Sequence, residues 1–410
     1  MRFPVVWHLA KKEILSTWRD RRALISNILI PLLLMPAMML GLPYLLGGIF
    51  EGQAVNMTPV AVNGSQHLPD GLRTLLDASL VELTEVEDVE QAVRDTDAQA
   101  GLVVPEGFTE RIAAGEVPRL SLYTMVGNMQ SDLALSKLQG SLNIYRQQLT
   151  RESLIEAGVD PGVLEPITFE ILDASTEQQR SSGFLGWMIP FFIAMWALMG
   201  GQMVAIDATA GEKERGTMES LLVSPINRFE VVMGKWLSTM IFGLFASIAA
   251  ITGYLVGAAI MRNVGPGSDG DGAAIDSFAA VMGGTMTLSP QVLFELLISA
   301  VLLTGFLAAL IITISMFARS FKEAQSYLGP LSFLLVIPAI SLQFRDFFDL
   351  GMAQYLIPVL NALIVMFDSI RGATDPLGLT LAWVSMALYT LVLLTIAHRN
   401  FKREDVIFRT

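Results

Sequence analysis

The sequence predicts a mainly α membrane protein with six transmembrane helices. Its mean hydropathy is +0.53, with 52% hydrophobic and only 16% charged residues, which is too apolar for a soluble chain of 410 residues. A helix needs about 20 apolar residues to cross the hydrocarbon core. Six runs meet this requirement, at 23–46, 184–206, 236–260, 291–318, 326–343 and 377–397. The chain has no cysteine and its three histidines lie far apart, so we expect no metal site and no catalytic thiol.

Residues 1–22 predict an amphipathic helix that lies in the membrane interface. One helical face carries apolar side chains, namely Phe3, Val6, Trp7, Ala10, Ile14 and Trp18. Tryptophan rings prefer the headgroup level, and lysines are attracted to anionic lipid. We therefore expect Trp7, Lys11, Lys12 and Trp18 to anchor this segment to membrane lipid. The first span, 23–46, follows it and is too long for a cleaved signal peptide.

Residues 47–183 predict an extracytoplasmic α/β domain between spans one and two. This region holds 21 Asp and Glu against 8 Lys and Arg, which we interpret as a solvated face rather than an ion-gathering one. Apolar patterns predict alternating strands and helices, in chain order at 58–63, 68–80, 100–104, 120–123 and 131–156. The remaining residues, 184–410, form the predicted five-span permease bundle.

The distribution of basic residues orients the chain. Sixteen of its 27 Lys and Arg lie in four segments, at 1–22, 207–235, 319–325 and 398–410. The loops 261–290 and 344–354 hold one each. Because basic residues favour the cytosolic side of a membrane protein, both termini are expected in the cytosol. The predicted location is the cell (inner) membrane, as a multi-pass protein.

The stretch 346–376 predicts a re-entrant segment between spans five and six. Its apolar part, 355–367, has 13 residues and contains Pro358, so it is too short to cross a bilayer. Polar side chains at membrane depth are candidate contacts for a transported substrate. These candidates are Gln202, Gln343, Asn361 and Asp368. The other interpretation of Asp368 is a helix-terminal residue that faces external water.

The connection between spans two and three, 207–235, carries a dense polar patch, GEKERGTMESLLVSPINRFEVVMGK at 211–235. The pattern predicts a short amphipathic helix over 212–223 that stops before Pro225. Capping-box spacing from Asn227 to Glu230 then opens the helix of span three. The two glycines lack the lysine of a phosphate loop, so we expect no ATP site here. A stiff elbow of this kind favours a docking surface over an ordinary polar loop.

The segment GEKERGTMESLLVSP at 211–225, with Gly234 and Lys235 downstream, resembles the signature of type-2 ABC exporter permeases. The similarity is closer to the NatB-like branch, which is named for a sodium-export permease. The patterns GLVVPEGF at 101–108 and FKREDVIFR at 401–409 look like the same branch. The resemblance implies two six-span permeases, identical or different, paired with two separate cytosolic ATPase subunits. ATP and Mg would bind those partners, and this chain would bind no cofactor and no nucleic acid.

The resemblance also implies a coupling role for the polar patch. Its residues Glu212, Lys213, Glu214, Arg215, Gly216, Thr217 and Glu219 would form or orient the ATPase contact, flanked by the interfacial helix. The chain would not be an enzyme, and it would export sodium or a lipid-like or amphipathic substrate by alternating access. The competing hypothesis is a mechanotransmitter or sensor that acts through its extracytoplasmic domain without transporting a substrate.

Overall fold

A computed structural model describes residues 1–41, 57–164, 176–183, 185–218, 225–264, 288–347 and 351–403. The chain divides into two compact units, a helical unit of 1–47 and 174–410 and a smaller unit of 48–173. The sequence predicts the extracytoplasmic domain over 47–183, and the smaller unit covers 48–173.

Two helices open the chain. Helix α1, Phe3–Arg19, has a proline in its first turn and buries Val6, Ala10 and Glu13 along one face. A helical turn at Arg21–Leu24 leads directly into the apolar helix α2, Ile25–Gly41, whose first turn, Ile25–Leu29, is π-helical. Its described part is shorter than about 20 residues, and 42–46 of the predicted first span lie outside the described residues. The first of the six predicted spans therefore stays a prediction.

The smaller unit is an α/β sheet domain. Its sheet has the order β2-β1-β3-β4, where β1 pairs in parallel with β2 and β3, and β3 pairs antiparallel with β4. The elements in chain order are β1 Thr58–Asn63, α3 Asp70–Ala78, β2 Val81–Glu85, α4 Val89–Arg94, β3 Ala100–Val103, α5 Phe108–Ala113, β4 Ser121–Tyr123 and α6 Met129–Glu156. The core joins β1 and β3 to α3 and α6 through apolar side chains such as Val60, Leu72, Leu102 and Leu138.

Among the described residues, the helical unit continues with eight helices of six or more residues. They are α7 Glu177–Ser182, α8 Leu185–Ile206, α9 Arg228–Val264, α10 Pro290–Ser315, α11 Phe321–Leu328, α12 Leu331–Ser341, α13 Leu360–Arg371 and α14 Pro376–Asn400. Five described stretches are long and apolar enough to cross a membrane: Leu185–Glu214, Arg228–Ile260, Pro290–Ser315, Phe321–Phe344 and Pro376–Asn400. They correspond to the predicted spans two to six.

Helices α8, α9 and α10 form the centre of this unit, because small residues let their backbones approach closely. A Cβ added to Gly243 of α9 would lie 2.6 Å from the carbonyl oxygen of Ala197 and 2.7 Å from the Thr304 methyl. A Cβ at Gly200 of α8 would lie 2.6 Å from the Ala246 Cβ. Such contacts are typical of helix packing in membranes.

The predicted re-entrant segment consists of two short pieces, a 3₁₀ helix at Gly351–Leu356 and α13. Helix α13 has 12 residues, about 18 Å of helix, which is less than the hydrocarbon thickness. Its residues 361–370 are all buried against neighbouring helices. The segment is therefore too short to span, and its re-entrant placement in a membrane stays a prediction.

Candidate functional site

The polar patch after α8 begins as an extension of that helix. A π-helical turn at Asp207–Gly211 continues α8 into a last helical turn at Glu212–Glu214. Gly216 then adopts φ +69°, a left-handed conformation that ends a helix. The prediction of a new helix over 212–223 is thus wrong at its start, because α8 continues through 212–214 and ends before Gly216. Residues 219–224, including the candidate Glu219, lie outside the described residues.

Four consecutive charges at this point, Glu212 to Arg215, each contact a different element, and we call them the charged junction. Glu212 is 3% exposed and accepts hydrogen bonds from Lys12 Nζ of α1, at 2.9 Å, and from Lys235 Nζ of α9. Lys235 also donates to the Ala208 carbonyl within the π-helical turn. Buried charges are tolerated when they are paired and hydrogen-bonded, so this carboxylate joins α1, α8 and α9.

The next two residues contact the connection between α10 and α11. Lys213 Nζ donates to the Met316 carbonyl and, at 3.4 Å, to the Ala318 carbonyl, just past the end of α10. Glu214 Oε2 accepts the backbone N–H of Phe321, the first residue of α11, at 2.8 Å. The end of a helix carries partial negative charge and the start carries partial positive charge. Each side chain therefore faces the helix terminus of opposite sign.

Arg215, the last residue of the charged junction, contacts Asp207 in the preceding turns of its own helix. Its Nη1 donates to Asp207 Oδ1 at 2.8 Å, and Nη2 donates to the Asp207 carbonyl at 3.3 Å. The hydrogen bond to Asp207 raises the pKa of Arg215 further above its ordinary value. Residues 214–217 are exposed, and we call them the exposed tip.

Helix α1 is fastened to the start of α9 by a second ion pair. Glu230 accepts the Arg2 backbone N–H at 2.6 Å and Nη2 at 3.1 Å, and also the Asn227 N–H at 3.3 Å. Asn227 Oδ1 accepts from Phe229 N at 3.0 Å and caps the helix start, and the Glu230 bond to the Asn227 N–H is the reciprocal half of the predicted capping box. Gly234 of α9 permits this packing, since a Cβ there would lie 2.7 Å from the Leu9 Cβ.

The predicted lipid anchors occupy two different environments. Trp7 and Trp18 are 44% and 49% exposed, and Lys11 is exposed as well. Lys12 instead binds Glu212 and, at 3.2 Å, Glu13. Burial lowers the pKa of Lys12, but its hydrogen bond to Glu212 and the charges of Glu13 and Glu212 outweigh this, so the pKa is raised. Lys12 thus joins helix α1 to the charged junction through its ion pair with Glu212.

The candidate substrate contacts are only partly brought together. Asn361 Nδ2 donates to Ser385 Oγ at 2.8 Å, Ser385 Oγ donates to the Tyr355 carbonyl at 3.0 Å, and the Tyr355 hydroxyl lies 3.4 Å from Asp368 Oδ2. Asp368 is 5% exposed, so it does not face external water. Gln202 is half-buried and Gln343 is exposed. Within the described ranges, no hydrogen bond links either glutamine to this network.

Sequence reasoning missed another buried carboxylate, Glu295, between the first and second turns of α10. It is 5% exposed and accepts hydrogen bonds from Gln291 Nε2 at 2.9 Å and Thr374 Oγ1 at 3.2 Å. One turn further, Trp383 Nε1 donates to Ser299 Oγ at 2.9 Å. These bonds join α10 to α14 and the turn before it. The signal in the sequence is a lone carboxylate within the apolar run 291–318.

Long apolar helices that pack into one bundle, with paired charges where α8 ends, are typical of a multi-pass membrane protein. The sequence profile of the ABC-2 family transporter proteins matches residues 7–406, and the chain belongs to this family. It is therefore a permease subunit of an ABC transporter. Relatives in this family are permease subunits that work with a cytosolic ATPase subunit, and they are generally not enzymes.

Curated relatives agree with this family. The chain is 27% identical over 398 residues to the ABC transporter permease protein NatB of Bacillus subtilis, covering 97% of this chain and 98% of that protein. It is 24% identical over 251 residues to the probable multidrug ABC transporter permease YbhR of Escherichia coli, covering 59% of this chain and 63% of the relative. It is also 22% identical over 273 residues to the uncharacterized protein YhcI of Bacillus subtilis, covering 65% and 83%.

Proposed function

We propose that this permease is the membrane half of an ABC exporter and that a separate cytosolic ATPase subunit docks on the exposed tip. The observation that carries this proposal is that the polar patch contains both exposed residues and residues bonded to neighbouring helices. Residues 214–217 are exposed at the end of α8, while Glu212 and Lys213 brace that end against neighbouring helices. A docking surface needs such a rigid base if it is to receive force.

The docking proposal is tested with Arg215→Glu, because the Arg215–Asp207 pair is exposed and contributes only about 0–1 kcal/mol. Charge reversal should release the partner ATPase while the permease stays folded. The measurement is copurification and ATP turnover of the complex. Arg151→Glu, an exposed site in the smaller unit, is the matched control. Undiminished copurification with Arg215→Glu would refute docking at the tip.

The cargo of this exporter is sodium or a lipid-like or amphipathic molecule, moved by alternating access in a dimer of permeases. The resemblance to the branch named for a sodium-export permease supports sodium, and the relative named as a probable multidrug permease supports amphipathic cargo. The apolar helices of the bundle favour the second class. Liposomes that contain the complex, ATP and Mg would separate them by sodium flux and by extrusion of an amphipathic dye. ATP and Mg are bound by the partner subunit.

The membrane arrangement has its own test, because the chain lacks cysteine and accepts single labels. We propose six spans, cytosolic termini, a re-entrant 346–376 and lipid anchoring through Trp7, Lys11 and Trp18. A cysteine at position 217 or 402 should react with an impermeant maleimide only from the cytosolic side. A cysteine at position 151 should react only from outside. The opposite pattern would overturn the proposed orientation.

A mechanotransmitter is the second candidate function, and the separate core of the smaller unit favours it. In this case the ATPase would move the helices so that the extracytoplasmic domain acts on a partner outside. Deletion of 55–173, inside the smaller unit, should then abolish the action on that partner while ATP-driven flux through the complex is unchanged. Intact function after the deletion would exclude this candidate.

A further inference from the structure

We propose that Lys213 and Glu214 are positioning residues that fasten the connection between α10 and α11, residues 316–320, to the exposed tip. ATPase-driven movement of the tip would then reach two further helices directly, in addition to α8 and α9. This inference rests on the proposed function, because it needs an ATPase that moves the tip.

The connection is built to move as one piece with the helices on either side. Helix α10 ends at Ser315 and α11 begins at Phe321. Ser320 Oγ accepts the Glu323 N–H at 3.3 Å, and the Glu323 carboxylate accepts the Arg319 N–H at 2.7 Å. These reciprocal bonds are those of a capped helix start. A displacement of the connection is therefore transmitted to α11 and is not absorbed by a flexible loop.

The order of the two charges matches the order of the two helix termini. Lys213 donates to carbonyls past the end of α10, and Glu214 accepts the first N–H of α11. Exchanging the two residues would place like charge against each terminus. The side chains thus recognise the break between the helices, and each satisfies backbone groups that a helix terminus leaves unpaired.

Helix α10 and the stretch α11–α12 differ in burial, and this difference determines which of them a movement of the tip displaces more. Of the most apolar 18 residues of α10, 67% are buried, whereas only 22% of those in Phe321–Phe344 are buried. Helix α10 is also bonded to the α13–α14 turn through Glu295 and Thr374. The less buried stretch α11–α12 has fewer neighbours to hold it, so we expect it to move most when the tip moves.

The experiment follows α11 in the assembled complex. Spin labels at Ser326→Cys and Lys402→Cys, both exposed, report the distance from α11 to the end of α14 in nanodiscs with the ATPase bound. In the otherwise unchanged chain this distance should shift between the nucleotide-free complex and the complex trapped with ATP, Mg and vanadate. With Lys213→Met, which lies outside the exposed tip, the ATPase should still copurify and the shift should be lost. Lys213→Arg, which keeps a cationic donor at this position, should keep the shift.

The matched control is Lys322→Met, which removes one exposed positive charge from α11 without removing a tie to the tip. It should keep the shift. If Lys213→Met does not fold, Phe321→Pro serves, because it removes the N–H that Glu214 accepts and leaves the exposed tip unchanged; proline is tolerated at the first position of a helix. A full nucleotide-dependent shift in the folded variant overturns the inference, and so does an unchanged distance in the parent complex. Failure of the ATPase to copurify with the parent chain overturns the proposed function instead.

Discussion

Replacing Glu212 by Gln tests whether the charged junction holds the helical unit together. The carboxylate is buried between two lysines, and the Lys235 side chain is only 4% exposed. Removing one partner of a buried ion pair costs about 3–5 kcal/mol, because the other charge remains buried without compensation. Glutamine keeps a hydrogen-bond acceptor at this position, so we expect the lower end of that range.

The two lysines should respond very differently. The Lys12 side chain is 59% exposed, so Lys12→Met should cost about 0–1 kcal/mol, as for exposed ion pairs. Lys235→Met removes a buried charge while Glu212 keeps Lys12 as its partner, and its cost should lie between the other two. The double variant Glu212→Gln with Lys235→Met leaves no uncompensated buried charge. It should recover about 0.5–3 kcal/mol relative to the sum of the single variants.

The assay is thermal unfolding of the detergent-solubilised chain, followed by tryptophan fluorescence and by the fraction that remains monodisperse. The midpoints should fall in the order Lys12→Met, Lys235→Met, Glu212→Gln, from highest to lowest, and the double variant should lose less than the sum of the Glu212→Gln and Lys235→Met losses. A double variant that loses as much as this sum would refute the reasoning, since it would show that the two charges do not compensate each other. Equal losses for Lys12→Met and Glu212→Gln would refute it as well.

Three further outcomes are expected. Gly101→Ala should destabilise the smaller unit by about 1–3 kcal/mol, because a Cβ there would lie 2.2 Å from Val89 Cγ1; faster hydrogen exchange confined to residues 57–164 would show it. Gly216→Ala should cost about 1 kcal/mol through its positive φ alone, since the space around it is open; unchanged exchange at the tip would contradict this. Burial raises the pKa of Glu85, but hydrogen bonds from Ser65 and Gly64 outweigh it and lower the pKa below 4.5. The stabilisation from Glu85 is therefore complete above pH 4.5 and lost as the pH falls through the lowered pKa, and Glu85→Gln should remove this pH dependence from exchange at the 63–65 turn.

Apolar length was enough to predict most helices of the bundle. The run at 291–318 corresponds to α10 at Pro290–Ser315, and the run at 377–397 corresponds to α14 at Pro376–Asn400. The capping box at Asn227 was also readable, because it depends on residues only three apart. Local chemistry and bilayer thickness determine these features, so neighbours in sequence suffice.

Other features depend on contacts that no local pattern shows. Strand β2 was missed because Glu82, Thr84 and Glu85 are polar and exposed at the edge of the sheet. The helix predicted over 212–223 starts too early, because the apolar run of α8 ends at 206, whereas hydrogen bonding carries the helix on to Glu214. Polar residues propagate a helix as well as apolar ones do, so hydropathy alone does not mark the end.

The charged junction shows most clearly why position in the sequence is a poor guide to the role of a charge. Glu212 and Lys12 are 200 residues apart, so their pairing is invisible without the fold. Within four consecutive residues, the first is buried and the last is exposed. Reversing the charge of Glu212 would therefore release the ATPase by disordering the base of the tip, even if Glu212 never touches the ATPase. Only variants of the exposed residues, whose ion pairs contribute about 0–1 kcal/mol, separate loss of contact from loss of structure.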